Sequence, residues 1–287
     1  MILKESKGAK RNNGGPQPIA RWTFDKDLKD QIGNIHGKAL GEAKINDGAL
    51  ELDGKSAYVM TSPINRNMKA KTLEAWVKLN NLDQRGGAAM SIQSNDGKTF
   101  DAIVFGEREP KRWMAGSEGY SRTQSFGGEE ENTAKDEFTH IAIVYKADGH
   151  ITAYRNGKPY GKTYKSGSVD FSSGNYQVLF GMRHGTKAGN NLMLSGKIDR
   201  AQLYDKALTA EEIALSSSGN FVSEAELVAR LRPEQKMVRE RWKTEIARID
   251  KELGKMKKRK VYAVRPSKAP VTHLLVRGSP FELGDEV

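Results

Sequence analysis

The sequence predicts a mainly β protein, an antiparallel β-sandwich followed by a helical connector. Three observations lead there. Between Ile19 and about Tyr204, short apolar–polar alternations recur, with Gly-rich turns between them and no long helical period. Two dipeptides, Asp148-Gly149 and Asn156-Gly157, are strong hairpin signals, because they supply the positive φ that tight turns demand. Beyond Pro233 the apolar spacing changes to threes and fours, the period of a helix.

Residues 1–18 are polar, Gly/Pro-bearing and aperiodic, and read as a linker or arm. The sandwich is expected over residues 19–218. "IARWTF" alternates, and so do "GALELD" and "AYVMTS" around "DGKS". "TLEAWVKL" sets Leu73, Ala75, Val77 and Leu79 on one face and Glu74, Trp76 and Lys78 on the other. "FTHIAIVYKADGHITAYRNGKPYGKTY" gives three strands and two turns, and "YQVLFGM" and "KIDRAQLY" follow. Thr209 and Glu212 form a capping box before "AEEIALSSS", which predicts one short helix. Ser223 and Glu226 repeat the box, and Pro233 suits the first turn of a longer helix.

From Val238 the apolar residues Trp242, Ile246, Ile249, Leu253 and Met256 follow at spacings of 4, 4, 3, 4 and 3. That is a narrow, coiled-coil-like stripe, so residues 219–260 read as a helical connector. It is expected to meet a protein partner or a second copy of itself through 238–256. Residues 261–287 read as an extended tail, interrupted by Pro266 and Pro270.

The net charge of +11 is uneven. Residues 219–287 carry 16 Lys/Arg and 10 Asp/Glu, residues 1–20 carry four and one, and the body between is close to neutral. A nucleic-acid domain concentrates charge on its folded body, so nucleic acid is not the expected partner. "KMKKRK" reads as a solvated helix end. The absence of cysteine removes thiol chemistry, disulfides, Cys-ligated zinc and covalent haem attachment. No apolar run approaches the roughly 20 residues of a membrane span, and the N-terminal stretch has no apolar signal-peptide core.

In order along the chain, "ARWTFD", "DQIGNIHGKAL", "GALELDGKSAYV", "TLEAWVKL", "FTHIAIVYKADGHITAYRNGKPYG" and "GKIDRAQLYDKALTAEEIA" resemble the successive strands and terminal helix of a laminin-G-like domain. The resemblance covers residues 19–216 and implies a jelly-roll sandwich of the concanavalin A-like lectin/glucanase superfamily. Segment 97–135 has no clear counterpart and reads as a family-variable insertion. The C-terminal "VYAVRPSKAPVTHLLVRGSPFELGDEV" resembles the start of the C-terminal domain in planctomycete-type secreted proteins that also carry cytochrome-c-like domains. That likeness implies a piece of a longer extracytoplasmic protein.

The resemblance implies one structural calcium ion. Asp25 and Asp199 fall on strands expected to be neighbours, and Asp30 with the carbonyls near Gly33 would complete an oxygen shell. Bonding of these carboxylates to backbone N–H groups is the alternative. For a glycan, an aromatic platform beside planar polar groups is offered by Arg112, Trp113, Tyr120, Arg122 and Phe126, with Arg183, His184 and Asn190 on a second loop. Against this, Trp113 also reads as a core residue of a strand "KRWMAG". Catalysis finds little support. The glucanases of the superfamily carry Glu-x-Asp-x-Glu on one strand, and no such run occurs here. "GEEE" at 128–131 reads as a solvated loop. The expectation is a non-catalytic carbohydrate-binding module. The alternative is a structural or protein-interaction module without a small ligand.

Overall fold

The computed structural model describes residues 15–189, 192–218, 232–255, 273–275 and 283–286. The chain divides into two units, Met1–Ser223 and Glu224–Val287.

The first unit is a sandwich of two antiparallel sheets. Its strands are β1 (Ala20–Trp22), β2 (Gly37–Leu40), β3 (Lys44–Asn46), β4 (Ala49–Asp53), β5 (Tyr58–Thr61), β6 (Lys71–Leu79), β7 (Ala88–Ser94) and β8 (Phe100–Phe105). They continue with β9 (Trp113–Ser117), β10 (Thr139–Tyr145), β11 (His150–Arg155), β12 (Lys158–Pro159), β13 (Tyr164–Lys165), β14 (Tyr176–Phe180) and β15 (Ser195–Tyr204). One sheet runs β12-β11-β10-β6-β15-β4-β3, with β1 against β15 and β13 against β11. The other runs β2-β5-β14-β7-β8-β9. The last strand pairs with the first, Trp22 opposite Ala201.

The expected turns are present. Asn156 and Gly157 both have positive φ, 49° and 75°, which sets Arg155 opposite Lys158. Gly157 also has no room for a side chain, since a Cβ there would lie 2.2 Å from Ser217 Oγ. In "DGKS" the Asp53 carboxylate accepts the N–H groups of Lys55, Ser56 and Ala57. Those bonds outweigh its partial burial and hold its pKa down at about 2.

Between the sheets lie Leu73, Ala75, Val77 and Leu79 of β6, with Trp22, Met90, Ile92, Ile103, Phe105 and Phe180. The other face of β6 is not solvated. Glu74 is fully buried there and accepts hydrogen bonds from Gln202, Tyr204 and Ser216. Segment 97–135 is no mere insertion, because it supplies β8 and β9 and so completes the second sheet.

Helix α1 (Ala210–Ser217) starts with the expected reciprocal cap between Thr209 and Glu212. It does not close the end of the sandwich. It buries Ile213 with Ala142, Val144, Tyr154, Tyr204 and Leu208, on the outer face of the first sheet. Leu215 points away and is half exposed.

In the second unit, α2 (Pro233–Lys255) begins at the proline, as expected. Trp242, Ile246 and Ile249 are exposed on it, and Arg248 bonds Glu245 and Glu252 on the polar side. The second capping box and Met256 lie outside the described residues. In the tail, β16 (His273–Leu275) pairs with β17 (Leu283–Glu286) as a two-stranded ribbon.

Candidate functional site

The alternation of the second sheet decides what it offers outwardly. Met90 and Ile92 of β7, and Ile103 and Phe105 of β8, point into the core. Ser91, Gln93, Phe100, Ala102 and Val104 therefore point outward, yet all are buried. The segment after β14 covers Ser91, Gln93 and Phe100, and Ala102 and Val104 cluster with Phe100 and Ala88. Ser91 Oγ donates to the Met182 carbonyl, and the Gln93 amide exchanges two hydrogen bonds with Gly185. The His184 ring stacks on Phe100, centroids 4.3 Å apart and 11° from parallel. Gly185 has φ +108°, and a Cβ on Gly97 would sit 2.5 Å from its Cα, so this crossing requires two glycines.

Where that segment stops, towards the β9 edge, a pocket of about 220 Å³ remains. It is lined by Phe100, Glu107, Ser117, Glu118, Tyr120, Arg183 and His184. Glu107 and Arg183 form an ion pair whose side chains are only 6% and 10% exposed. Among the described residues, Glu107 Oε2 and Arg183 Nε each lack a hydrogen-bond partner. Burial raises the pKa of Glu107, although Arg183 opposes the rise. Burial, helped by Arg183, lowers that of His184, which keeps the imidazole neutral at pH 7. Glu118 differs. Burial pushes its pKa up, but two hydrogen bonds from Arg122, at 2.6 and 2.7 Å, win and hold it low.

Tyr120 stands at the rim, 46% exposed. Its φ is +59°, directly after Gly119 at +53°. A left-handed conformation is costly for a side chain with a Cβ, by roughly 1–2 kcal/mol. The Arg108 guanidinium lies 5.1 Å from its ring centroid.

Of the expected glycan residues, the fold brings Tyr120, Arg183 and His184 together in this pocket. Trp113 is a correction. It is 1% exposed, packs on Phe105, and donates its indole N–H to Glu131 at 2.8 Å. It is the strand residue of "KRWMAG" and no sugar platform. Arg112 lies outside the pocket, loosely paired with Glu109 and Glu130 at 3.8 and 3.9 Å. Arg122 and Phe126 are buried, the first against Asp101 and Glu118, the second against Tyr164. Asn190 lies outside the described residues. Phe100, Glu107 and Glu118 carried no sequence signal, because Glu107 and Arg183 are 76 residues apart and meet only through the fold.

The "GEEE" reading also needs correction. Glu129 and Glu130 are exposed, but Glu131 is 2% exposed. Its carboxylate accepts from Trp113, twice from Arg155, and from the N–H groups of Asn132, Thr133 and Ala134. Burial alone would raise its pKa, yet these bonds bring it down to about 2.

The expected calcium ligands fit only in part. Asp30 Oδ1 accepts the N–H groups of Arg21 and Ile32, and Oδ2 accepts those of Gly33 and Ile35. Four bonds use the lone pairs of a carboxylate, so Asp30 does not fit a metal, and Gly33 serves it as a donor. Asp25 and Asp199 fit better. Asp199 stands where β15 shifts register between Ile198 and Arg200. Its pKa is raised by burial, offset by Arg200, and raised again by Asp25. Among the described residues no group of three or more His, Asp or Glu gathers around one point.

Residues 53–214 match a laminin-G-type family described as the concanavalin A-like lectin/glucanases superfamily. The chain belongs to that superfamily. No curated protein sequence matches it significantly. Among solved structures, domain 4 of an extracellular arabinanase from Geobacillus stearothermophilus, in complex with arabinotriose, is 20% identical with a TM-score of 0.52. The match covers 70% of this chain and 98% of that domain. Trypanosoma rangeli sialidase with 2,3-difluorosialic acid is 14% identical with a TM-score of 0.53, over 72% of this chain and 34% of the sialidase. The binding domain of botulinum neurotoxin DC with SialylT is 14% identical with a TM-score of 0.50, over 70% and 51%. The chain thus spans about half or less of the toxin domain and the sialidase. At these identities the likeness is one of fold.

Proposed function

We propose that the chain is a non-catalytic carbohydrate-binding module of a larger extracytoplasmic protein, with its site in the pocket beside Tyr120. The observation that carries this reading is the exposed, left-handed Tyr120 beside the Glu107–Arg183 pair, in which each side chain keeps one buried polar atom without a partner among the described residues. An aromatic face next to a buried acceptor and donor is what a sugar ring with its hydroxyls requires. The arabinanase domain, matched over 98% of its length and solved with arabinotriose, supports it. The non-catalytic part rests on Glu118. Both its oxygens are committed to Arg122, so the pocket's second carboxylate has no freedom to act as acid or nucleophile. Calorimetric titration with arabinotriose and a panel of neutral oligosaccharides tests the proposal. Binding that Tyr120→Ala weakens at least tenfold supports it. A folded chain that binds none of the panel counts against it.

Two further parts of the proposal rest on separate observations. Asp25 and Asp199 would hold a calcium ion with nearby carbonyls, and such an ion would relieve their mutual repulsion. The exposed Trp242, Ile246 and Ile249 of α2 favour a protein-interaction role for that unit, with a partner or a second copy. Sedimentation of residues 1–287 against 1–218 tests this. Equal monomeric behaviour of both would remove self-association.

A further inference from the structure

We propose that the site is a groove of two subsites, divided by the Tyr120–Arg108 pair, which takes a neutral oligosaccharide of two or more units. This deepens the carbohydrate-binding reading and rests on it. A second pocket, of about 420 Å³, lies across that pair and is lined by Arg108, Glu109, Met114, Thr123, Gln124 and Ser125. Two contacts join the pockets. Arg108 of the second stacks on Tyr120 of the first, and Thr123 of the second bonds Ser117 of the first at 3.0 Å. At about 220 Å³ the first pocket is smaller than a complete ligand site, which spans roughly 300–1,000 Å³. With its neighbour it enters that range. A ring stacked against Tyr120 in the first pocket would carry its next unit past Arg108 into the second.

The charges select a neutral ligand. Glu107 is paired with Arg183, Glu118 with Arg122, and Arg108 lies on the Tyr120 ring. A carboxylated or sulfated sugar would meet three carboxylates, Glu107, Glu109 and Glu118, against one cation outside the ion pairs, Arg108. Among the described residues, the buried side-chain atoms of the first pocket that lack a partner are one acceptor, Glu107 Oε2, and one donor, Arg183 Nε. Sugar hydroxyls both donate and accept, so two neighbouring hydroxyls match that pair.

The test is calorimetry on the full chain with matched probes: arabinose and arabinotriose, xylose and xylotriose, glucose and cellotriose, and sialyllactose as the acidic probe. The expected result is a trisaccharide bound at least tenfold more tightly than its own monosaccharide, with sialyllactose the weakest. Arg108→Ala and Gln124→Ala, both at exposed positions, are each expected to bring the trisaccharide-to-monosaccharide ratio towards one. Equal affinity for a monosaccharide and its trisaccharide would overturn the two subsites and leave the carbohydrate reading standing. Tighter binding of sialyllactose would overturn the neutral class. Binding of no sugar would overturn both this inference and the reading beneath it.

Discussion

Glu131→Gln isolates one buried charge and keeps its shape. In the folded chain the carboxylate titrates at about 2, against an ordinary 4.5. At about 1.4 kcal/mol per pH unit, that gap corresponds to about 3 kcal/mol of stability at neutral pH. Arg155, whose side chain is 26% exposed, recovers some hydration when the charge is lost. The amide oxygen can keep part of the backbone bonding, so about 2–3 kcal/mol is the expected loss. For a unit of this size, that lowers Tm by ~5–10 °C. The pH dependence follows from the sign. A depressed carboxylate contributes fully above its unfolded value and loses the contribution as pH falls through its folded one. The gap between wild type and variant should therefore be constant from pH 7 to about 5 and close between 4.5 and 2. Thermal denaturation of both proteins across that range is the assay. A gap as wide at pH 2.5 as at pH 7, or no gap at all, would refute the assignment of Glu131 as a buried staple.

Tyr120→Gly should raise Tm, because glycine relieves the left-handed strain at φ +59°, while sugar binding falls at least tenfold. A loss of both stability and binding would make Tyr120 structural. If Asp25 and Asp199 hold calcium, calcium should raise Tm and EDTA should reverse it; at 100 times Kd the gain is about 2.7 kcal/mol. Asp199→Asn should abolish that response, and without calcium it should destabilise nothing, since Asp199 is raised by burial and by Asp25. Without calcium, wild-type stability should also fall slightly as pH rises above the ordinary aspartate range, the direction a raised carboxylate dictates. Thr209→Ala should cost about 1 kcal/mol in chemical denaturation, the value of a lost N-cap. Lys71→Met removes a fully buried ammonium from Asp101, which keeps its Arg122 partner. It should cost less than the roughly 3–5 kcal/mol of an orphaned buried charge, as urea melts would show.

The strands that could be read from the sequence are those with one face in the core and turns set by local chemistry. Asn156-Gly157 and the Thr209–Glu212 box are such cases, because each signal lies within four residues of what it determines. Strand β8 hid its nature for the opposite reason. "FDAIVF" is buried on both faces, since His184 lies over Phe100 on its outer side and Ala102 and Val104 cluster there with Ala88, so the period of two disappears. The same cover produces the site. Arg183 and His184 come from one end of the chain's covering segment, Glu107 and Tyr120 from the β8–β9 region, and no local pattern announces their meeting. Residue type alone misled twice, at Trp113, an aromatic that went to the core, and at Glu131, an acid that went with it. The two errors are one fact, because the indole N–H of Trp113 and the carboxylate of Glu131 satisfy each other in the interior. That bond lies at the start of β9, the strand after which Tyr120 follows. The left-handed turn at Tyr120 is held at the other end of the strand, where the Arg122 N–H bonds Ser117 Oγ and its guanidinium bonds Glu118, so a second buried acid–base pair places the exposed ring.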